Sequence, residues 1–419
     1  MWRVASSVLS IATIVILALS ALTEPAEARV FKVLYSFCSQ PNCVDGAMPQ
    51  PGLVMDAAGN LYGATAAGGS RGGGGTVFKL TASGGETVLH SFRTVAGSPP
   101  NVYPSIAFVG LTSSLYGTTA ADGAHGMGTI FKISPSGHKT VLYSFCAEAN
   151  CADGARPGGG LAIDGAGNLY GNAENGGTGS GVVFKLSPGG ALSILYNFCS
   201  LSDCADGRTP IGPLLLDAAG DLFGTTNAGG NRGQDPFPDD QGPGTIFGVT
   251  QNGEFTDLWS FCSLAACRDG YMPASGIITD GAGNFYGTTP EGGRRVPNGS
   301  RGGTVFKLTP SGQETVLYRF CRKLDCFDGL TPAGSLLMDQ SGNLYGATAG
   351  GGEFHNGTVF VLTPSGKRRT LHSFCAEAEC VDGAAPVGGL IMDTGGNLYG
   401  VTSNGGAGRT GTVFEIARD

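Results

Sequence analysis

The stretch GNLYGAT at residues 342–348, followed by GTVFVLTPSG at residues 357–366, identifies a tandem repeat, because close copies of both occur seven times. The first motif centres on an aromatic residue followed by glycine: Tyr62, Tyr116, Tyr170, Phe223, Tyr286, Tyr345 and Tyr399. The second contains a phenylalanine: Phe78, Phe131, Phe184, Phe247, Phe306, Phe360 and Phe414. These phenylalanines lie 53 to 63 residues apart, and each repeat contains only short apolar runs and turns. This pattern predicts an all-β, seven-bladed β-propeller with one repeat per blade.

The third repeat shows how four strands form one blade. Turn residues occur at 165–168 (GAGN) and at 187–190 (SPGG), where glycine and asparagine tolerate left-handed backbone. The apolar runs around these turns predict four antiparallel strands at residues 160–164, 169–173, 182–186 and 194–198. Apolar and polar residues alternate only weakly in these runs, which is typical of sheets that are covered on both faces.

The two ends of the repeat array predict how the ring closes. Residues 30–37 match a fourth, outermost strand, whereas residues 411–416 match a third strand. We therefore expect the last blade to combine three C-terminal strands with one N-terminal strand, which hides sheet edges. Only the connection between the second and third strands varies in length, and such loops often carry binding function.

Residues 1–28 have the features of a signal peptide. Arg3 precedes an apolar run at residues 8–22, and Ala26-Glu27-Ala28 fits a small-x-small cleavage site. The alternative is an uncleaved membrane anchor, although a run of this length is short of the roughly 20 residues that span a bilayer. We predict a single propeller domain at residues 29–419, without a membrane span after signal removal, that is secreted, periplasmic or on the cell surface.

The twelve cysteines form six pairs with constant spacing, which supports an oxidising compartment. The pairs are Cys38/Cys43, Cys146/Cys151, Cys199/Cys204, Cys262/Cys267, Cys321/Cys326 and Cys375/Cys380. An even count in an exported chain favours disulfides. The alternative is metal ligation by thiolates, but zinc needs four converging ligands and each pair belongs to a different repeat. We expect each disulfide to staple one loop.

Composition and residue placement narrow the function without revealing it. A net charge of −8 and the absence of an interleaved basic and aromatic cluster argue against a nucleic-acid partner. None of the five histidines lies in a pattern typical of a nucleophile with its base, so we predict no catalytic residues, no metal and no cofactor. His90 and His372 occupy a slot that other repeats fill with tyrosine, and we expect them to be structural.

Aspartates recur at two places in the repeats. One set follows the second cysteine: Asp45, Asp153, Asp206, Asp269, Asp328 and Asp382. These carboxylates would either ring one mouth of the channel and attract a cation or form local turns, and we favour the turns. The other set precedes the Gly-Asn turns and also predicts turn chemistry: Asp56, Asp164, Asp217, Asp280, Asp339 and Asp393.

The two longest variable loops break the symmetry of the repeats and are our predicted binding residues. The loop at residues 231–243 carries acidic residues and a phenylalanine, and the loop at residues 291–302 carries arginines. The predicted set is Asp235, Phe237, Asp239, Asp240, Arg294, Arg295 and Arg301. The alternative is two solvated loops that pair with each other.

The tandem pattern resembles the GloVer tandem repeat of exported bacterial proteins described as choice-of-anchor proteins. Good copies occur at residues 284–289 with 303–320, and at residues 343–348 with 357–366. The resemblance implies a secreted or surface protein and brings no established catalytic residues.

The residues and the resemblance together predict a monomeric extracellular binding module that recognises a glycan, peptide or protein through one loop-bearing face. Two alternatives stay open. One is an extracellular enzyme acting on a carbohydrate or lactone at the channel mouth, and the other is a structural cell-surface protein.

Overall fold

A computed structural model describes residues 29–93, 103–109, 114–231, 233, 242–293 and 302–418. Within these residues the strands form seven antiparallel sheets, which are the blades of the predicted propeller. Strand β1 (Arg29–Ser36) belongs to the last blade. Blade 1 contains β2 (Ala47–Pro49), β3 (Val54–Met55), β4 (Leu61–Ala67), β5 (Thr76–Leu80) and β6 (Glu86–Ser91). Blade 2 contains β7 (Pro104–Val109), β8 (Leu115–Thr119), β9 (Thr129–Ile133) and β10 (Lys139–Ser144).

The remaining blades repeat the same order from the innermost to the outermost strand. Blade 3 contains β11 (Ala155–Ile163), β12 (Leu169–Asn175), β13 (Val182–Leu186) and β14 (Leu192–Asn197). Blade 4 contains β15 (Arg208–Leu216), β16 (Leu222–Ala228), β17 (Thr245–Val249) and β18 (Phe255–Ser260). Blade 5 contains β19 (Ile278–Thr279), β20 (Phe285–Thr289), β21 (Thr304–Leu308) and β22 (Glu314–Arg319). Blade 6 contains β23 (Leu330–Met338), β24 (Leu344–Gly350), β25 (Thr358–Leu362) and β26 (Arg368–Ser373). Blade 7 contains β27 (Ala384–Met392), β28 (Leu398–Asn404) and β29 (Thr412–Arg418).

The N-terminal strand closes the ring, as predicted. In blade 7 the strand order is β1-β29-β28-β27, and β1 runs antiparallel to β29 with Val33 opposite Phe414. Closure in this way joins the two ends of the described chain by the same backbone hydrogen bonds that hold every other blade together.

The core lies between blades rather than within them. The phenylalanine that follows each outer strand packs on the third-strand phenylalanine of the next blade, with ring centroids 4.9 to 5.6 Å apart. The seven pairs are Phe37–Phe78, Phe92–Phe131, Phe145–Phe184, Phe198–Phe247, Phe261–Phe306, Phe320–Phe360 and Phe374–Phe414. These tilted and edge-to-face contacts stabilise every blade junction, including the one that closes the ring.

The recurrent Tyr-Gly motif has a packing reason. In blade 5, Gly287 lies directly opposite Phe306 on the neighbouring strand. A Cβ atom added to Gly287 would lie 2.5 Å from Cζ of Phe306, so only glycine leaves room for the ring. The same opposition occurs in all seven blades, and it links the two motifs that identified the repeat.

The innermost strands differ from the prediction. In blade 3, β11 begins at Ala155, five residues before the predicted start at residue 160. The register with β12 shifts between Gly158 and Ala162, so an irregular glycine-rich segment lies within the strand. Because the missed residues at 155–159 (ARPGG) do not form a run of large apolar side chains, apolar periodicity alone does not reveal them.

Six disulfides join the predicted cysteine pairs, and no free cysteine is found in the part of the chain that the structure describes. Each closes a loop that contains one turn of 3-10 helix: Pro41–Cys43, Ala149–Cys151, Ser202–Cys204, Ala265–Cys267, Leu324–Cys326 and Ala378–Cys380. We call the face of the propeller that carries these loops the stapled-loop face. Among the described residues, no helix has the length and apolar character needed to cross a membrane.

Candidate functional site

The aspartates of the disulfide loops form local turns, which confirms the interpretation that we favoured. The carboxylate of Asp153 is buried and accepts hydrogen bonds from the backbone N–H groups of Ala147 (3.0 Å) and Glu148 (3.2 Å) and from the hydroxyl of Tyr143 (2.9 Å). Burial and then the bond to Asp153 raise the pKa of Tyr143 above its ordinary value. In blade 6, His372 replaces the tyrosine and lies 3.0 Å from the carboxylate of Asp382.

The second set of aspartates also forms turns, as predicted. Asp280 accepts bonds from the backbone N–H groups of Ala282 and Asn284, from the Asn284 side chain and from the Tyr286 hydroxyl, all at 2.8 or 2.9 Å. Burial by itself raises the pKa of Asp280, but these bonds together outweigh burial and lower the pKa to about 2.

The predicted binding residues lie outside the described part of the chain, so their prediction stays untested. They are Asp235, Phe237, Asp239, Asp240, Arg294, Arg295 and Arg301.

A cavity of about 690 Å³ lies on the axis of the propeller, between the innermost strands. Much of its wall is backbone, because neighbouring inner strands touch at the irregular segments. A Cβ atom added to Gly159 would overlap the backbone of Gly212 in the next blade, and one added to Gly334 would overlap that of Gly388. Glycine at these positions therefore permits neighbouring inner strands to approach each other closely, and it adds no side chain to the cavity wall.

Side chains of the second strands hold these inner strands in place. The amide nitrogen of Asn172 donates to the carbonyl oxygen of Gly212 at 2.9 Å, and the hydroxyl of Thr225 donates to that of Ser275, also at 2.9 Å. Both bonds cross from one blade to the next and both are buried, so they stabilise the geometry of the cavity wall.

The residue that precedes the inner-strand proline lies near the stapled-loop face, and three residues of this set (Tyr103, Arg156 and Thr331) line the cavity. This position has a left-handed backbone, with φ between 49° and 59°, in all seven blades: Met48, Tyr103, Arg156, Thr209, Met272, Thr331 and Ala385. In blade 3, the N–H of Arg156 donates to the carbonyl oxygen of Met127 in blade 2 at 2.8 Å. The backbone conformation at this position is therefore the same in every blade, whereas the side chain differs between blades.

Arg156 and Glu174 break the sevenfold repeat in the cavity wall. Among the described residues that line the cavity, they are the only two that carry charge. Nε of Arg156 lies 3.8 Å from Oε2 of Glu174, and their side chains remain 48% and 31% exposed. Burial raises the pKa of Glu174, and the charge of Arg156 opposes that rise.

No other blade has an acidic residue at the position equivalent to Glu174. The equivalent positions hold Ala66, Ala120, Asn227, Pro290, Ala349 and Ser403. Because Nε and Oε2 are separated by more than a hydrogen-bond length, both groups retain capacity to bind a ligand. Within the described chain, no three His, Cys, Asp or Glu side chains converge in a way that would hold a metal ion.

Our sequence reasoning missed this pair because it searched the variable loops for asymmetry. A position-by-position comparison of the seven repeats contains the signal, since Arg156 and Glu174 are unique at their positions within the array. Their proximity requires the structure, because they belong to different strands of blade 3.

The model of the Gloeobacter/Verrucomicrobia repeat matches residues 23–237, 106–326 and 237–419, which together include the whole described propeller. The chain belongs to this repeat family. The match confirms the resemblance inferred from the tandem motifs. No curated protein sequence matches this member of the repeat family.

Several solved structures are similar to this repeat-family chain at low sequence identity. A putative gluconolactonase has 16% identity and a TM-score of 0.32, over 57% of this chain and 81% of that one. A luciferin-regenerating enzyme has 11% identity and a TM-score of 0.43, over 93% and 95% of the two chains. A putative oxidoreductase (glucose dehydrogenase) from Thermus thermophilus has 13% identity and a TM-score of 0.43, over 93% and 100%. At these values the neighbours carry no inference about activity.

Proposed function

We propose that this repeat-family propeller is an extracellular binding module whose ligand enters the axial cavity from the stapled-loop face. The observation that carries the proposal is the Arg156–Glu174 pair, the one charged feature among the described residues of a cavity otherwise lined by backbone and by uncharged side chains. Concave sites with an apolar wall and a few polar groups are the usual form of ligand sites in proteins.

The chemistry of the wall favours a ligand with an apolar body and a polar end. Prolines, including Pro104, Pro157 and Pro332, present apolar surface, whereas the Arg156 guanidinium donates hydrogen bonds and the Glu174 carboxylate accepts them. Such a pair suits hydroxyl groups of a glycan or the polar terminus of a peptide.

Binding is favoured over the enzymatic alternative by the absence of a second carboxylate. Glycoside hydrolysis normally needs two carboxyl groups at a defined separation across the reacting bond. In the described wall Glu174 is the one carboxylate, and the charged group beside it is an arginine.

An extracellular location is supported by the six disulfides, since such bonds persist in oxidising compartments and are rare in the cytosol. The signal peptide predicted at residues 1–28 would direct the chain to such a compartment.

The cavity is tested with a double substitution. Arg156→Ala with Glu174→Ala removes both charged groups while the net charge is unchanged, and we expect at least tenfold weaker binding of ligands found on glycan and peptide arrays, because each lost hydrogen bond to a charged group weakens binding by about that factor. Affinity measured by isothermal titration calorimetry checks this outcome.

The matched control is Arg409→Ala with Glu379→Ala, which removes an exposed ion pair elsewhere on the protein. Equal affinities for the cavity variant and the control would rule out the cavity as the ligand site. Hydrolysis of a bound glycan or lactone that Glu174→Ala abolishes would instead establish the enzymatic alternative.

A further inference from the structure

We propose that a second site, on the stapled-loop face of blade 5, binds acidic polysaccharides. It consists of Arg268, Arg319, Arg322 and Lys323, which we call the basic corner. None of these residues lines the axial cavity. The corner is unexpected from composition, since the chain carries a net charge of −8.

Two consecutive disulfide loops meet to form the basic corner. Nε of Arg319, at the end of β22, donates to the carbonyl oxygen of Arg268 at 2.9 Å, across a sequence separation of 51 residues. Arg268, Arg322 and Lys323 are exposed, and Arg319 is half-buried. The bond therefore holds the end of one loop against the beginning of the next.

The positive charges of the basic corner repel one another, as the pKa of Arg319 shows. Burial, followed by the charges of Arg268 and Arg322, lowers the pKa of Arg319, while Glu314 and Asp269 oppose the effect. Carboxyl groups oppose part of this positive charge: Asp325 is exposed in the same loop, and the buried Asp328 accepts hydrogen bonds from the backbone N–H groups of Arg322 and Lys323. Asp269 is buried and accepts backbone N–H bonds from Ser263 and Leu264, and burial raises the pKa of Glu314 to about 8, so Glu314 is mostly uncharged at neutral pH.

The other disulfide loops lack these cations. At the two positions after the first cysteine they hold Ser39-Gln40, Ala147-Glu148, Ser200-Leu201, Ser263-Leu264 and Ala376-Glu377, compared with Arg322-Lys323 here. The other five loops have the same disulfide without these cations, so the stability of the loop does not require cations at these positions. Their concentration in one loop points to an anionic partner.

An exposed aromatic ring beside the cations favours a sugar. Phe327 is 41% exposed, and its ring stacks loosely with His355 at a centroid distance of 6.3 Å. Arg322 and Phe327 each follow one cysteine of the same disulfide, and the Cα atoms of these cysteines are 4.1 Å apart. A pyranose ring packs its C–H face on such an aromatic ring while its carboxylate or sulfate meets the guanidinium.

The charge of the corner is tested with Arg322→Glu combined with Lys323→Glu. Both residues are exposed, so we expect the variant to fold with an unchanged melting temperature. At low ionic strength it should bind polygalacturonate at least tenfold more weakly than the original protein, because attraction at two positions becomes repulsion. Binding by the original protein should fall steeply in about 0.5 M salt, where exposed charges are screened.

The matched control is Lys367→Glu combined with Arg369→Glu, which changes net charge equally but lies at the opposite end of an outer strand in blade 6. This control, and Arg156→Ala with Glu174→Ala in the cavity, should retain polygalacturonate binding, so failure of the cavity proposal is distinguished from failure of this one. Dextran sulfate in place of polygalacturonate distinguishes sulfate from carboxylate as the anion recognised. Phe327→Ala should weaken binding of either polysaccharide several-fold and leave its salt dependence unchanged.

Three results would overturn the proposal. The first is absence of binding to both acidic polysaccharides at low salt. The second is equal loss of binding in the blade 6 control, which would indicate a general charge effect. The third is tighter binding of single-stranded DNA or anionic lipid vesicles than of either polysaccharide, with the same loss in Arg322→Glu/Lys323→Glu, which would assign the corner to a different class of partner.

Discussion

Two glutamates at the outer seam between blades each have one buried carboxyl oxygen without a hydrogen-bond partner among the described residues. They are Glu86 and Glu314, each of which begins an outer strand, and the oxygen is Oε1 in both. Burial, assisted by Asp45 for Glu86 and by Asp269 for Glu314, raises the pKa of the two carboxyl groups to about 7 and about 8. In blade 4 the same position holds Phe255, whose ring stacks on Tyr196 of blade 3. The position therefore accepts an aromatic ring in blade 4, whereas blades 2 and 6 hold Lys139 and Arg368 there.

We predict that Glu314→Gln removes part of the pH dependence of stability. The folded-state pKa of Glu314, about 8, lies above its ordinary value of 4.5, so the folded protein binds the proton more tightly than the unfolded chain does. The stability that this group contributes is complete below about pH 4.5 and is lost as the pH rises through about 8. The melting temperature of the original protein should therefore fall more between pH 5 and pH 9 than that of the variant.

The control for this prediction is Glu353→Gln, at an exposed position on the same protein. Its melting temperature should follow that of the original protein over the same pH range. Parallel curves for Glu314→Gln and the original protein would show that Glu314 is ionised in the folded state.

At the scale of strands, one cross-strand contact explains both repeat motifs. The glycine after the aromatic residue of the second strand makes room for the phenylalanine of the third strand. That phenylalanine then reaches the preceding blade, where it packs on the phenylalanine that follows the outer strand. Glycine normally weakens a strand. Here the cost is offset because the ring it admits stabilises the blade junction.

We predict that Gly287→Ala destabilises the protein by roughly 1–3 kcal/mol, because the new methyl group overlaps the ring of Phe306 and the core does not yield without strain. Denaturant unfolding measures the loss. Gly281→Ala is the matched control, since a Cβ atom at Gly281 meets nothing within 4 Å, and it should change stability by less than about 0.5 kcal/mol. Adding Phe306→Leu to Gly287→Ala should cost less than the sum of the two single changes, whereas strict additivity would contradict the overlap.

At the scale of the whole molecule, the ring depends on its first described strand. β1 supplies the outer edge of blade 7, and Phe37, just after it, packs on Phe78 of blade 1. Without this segment, β29 would become an unpaired edge and one of the seven phenylalanine junctions would be lost. Open edges of this kind promote aggregation.

We predict that deletion of residues 30–37 produces an aggregating protein or one with a markedly lower melting temperature. Deletion of residues 1–28 is the control and should leave a monodisperse folded protein, because those residues precede β1. Size-exclusion chromatography and thermal melting decide the outcome. A monodisperse 30–37 deletion with an unchanged melting temperature would show that the ring does not need β1.

Sequence patterns predicted the number of blades, their four-strand order, the closure by residues 30–37, the six disulfide pairs and the turn role of the aspartates. These features were predictable because they depend on local spacing that recurs seven times, so each copy supports the assignment of the others. The start of β11 was misplaced because its glycine-rich segment has no apolar pattern.

The three-dimensional packing was needed to show which departures from the repeat lie close together. Arg156 and Glu174 lie on separate strands, and their approach depends on how the inner strands pack around the axis. The basic corner joins residues 51 positions apart through one hydrogen bond between consecutive loops. Local patterns do not encode such proximities, because the distance between two side chains on different strands or blades is set by the packing of the whole ring.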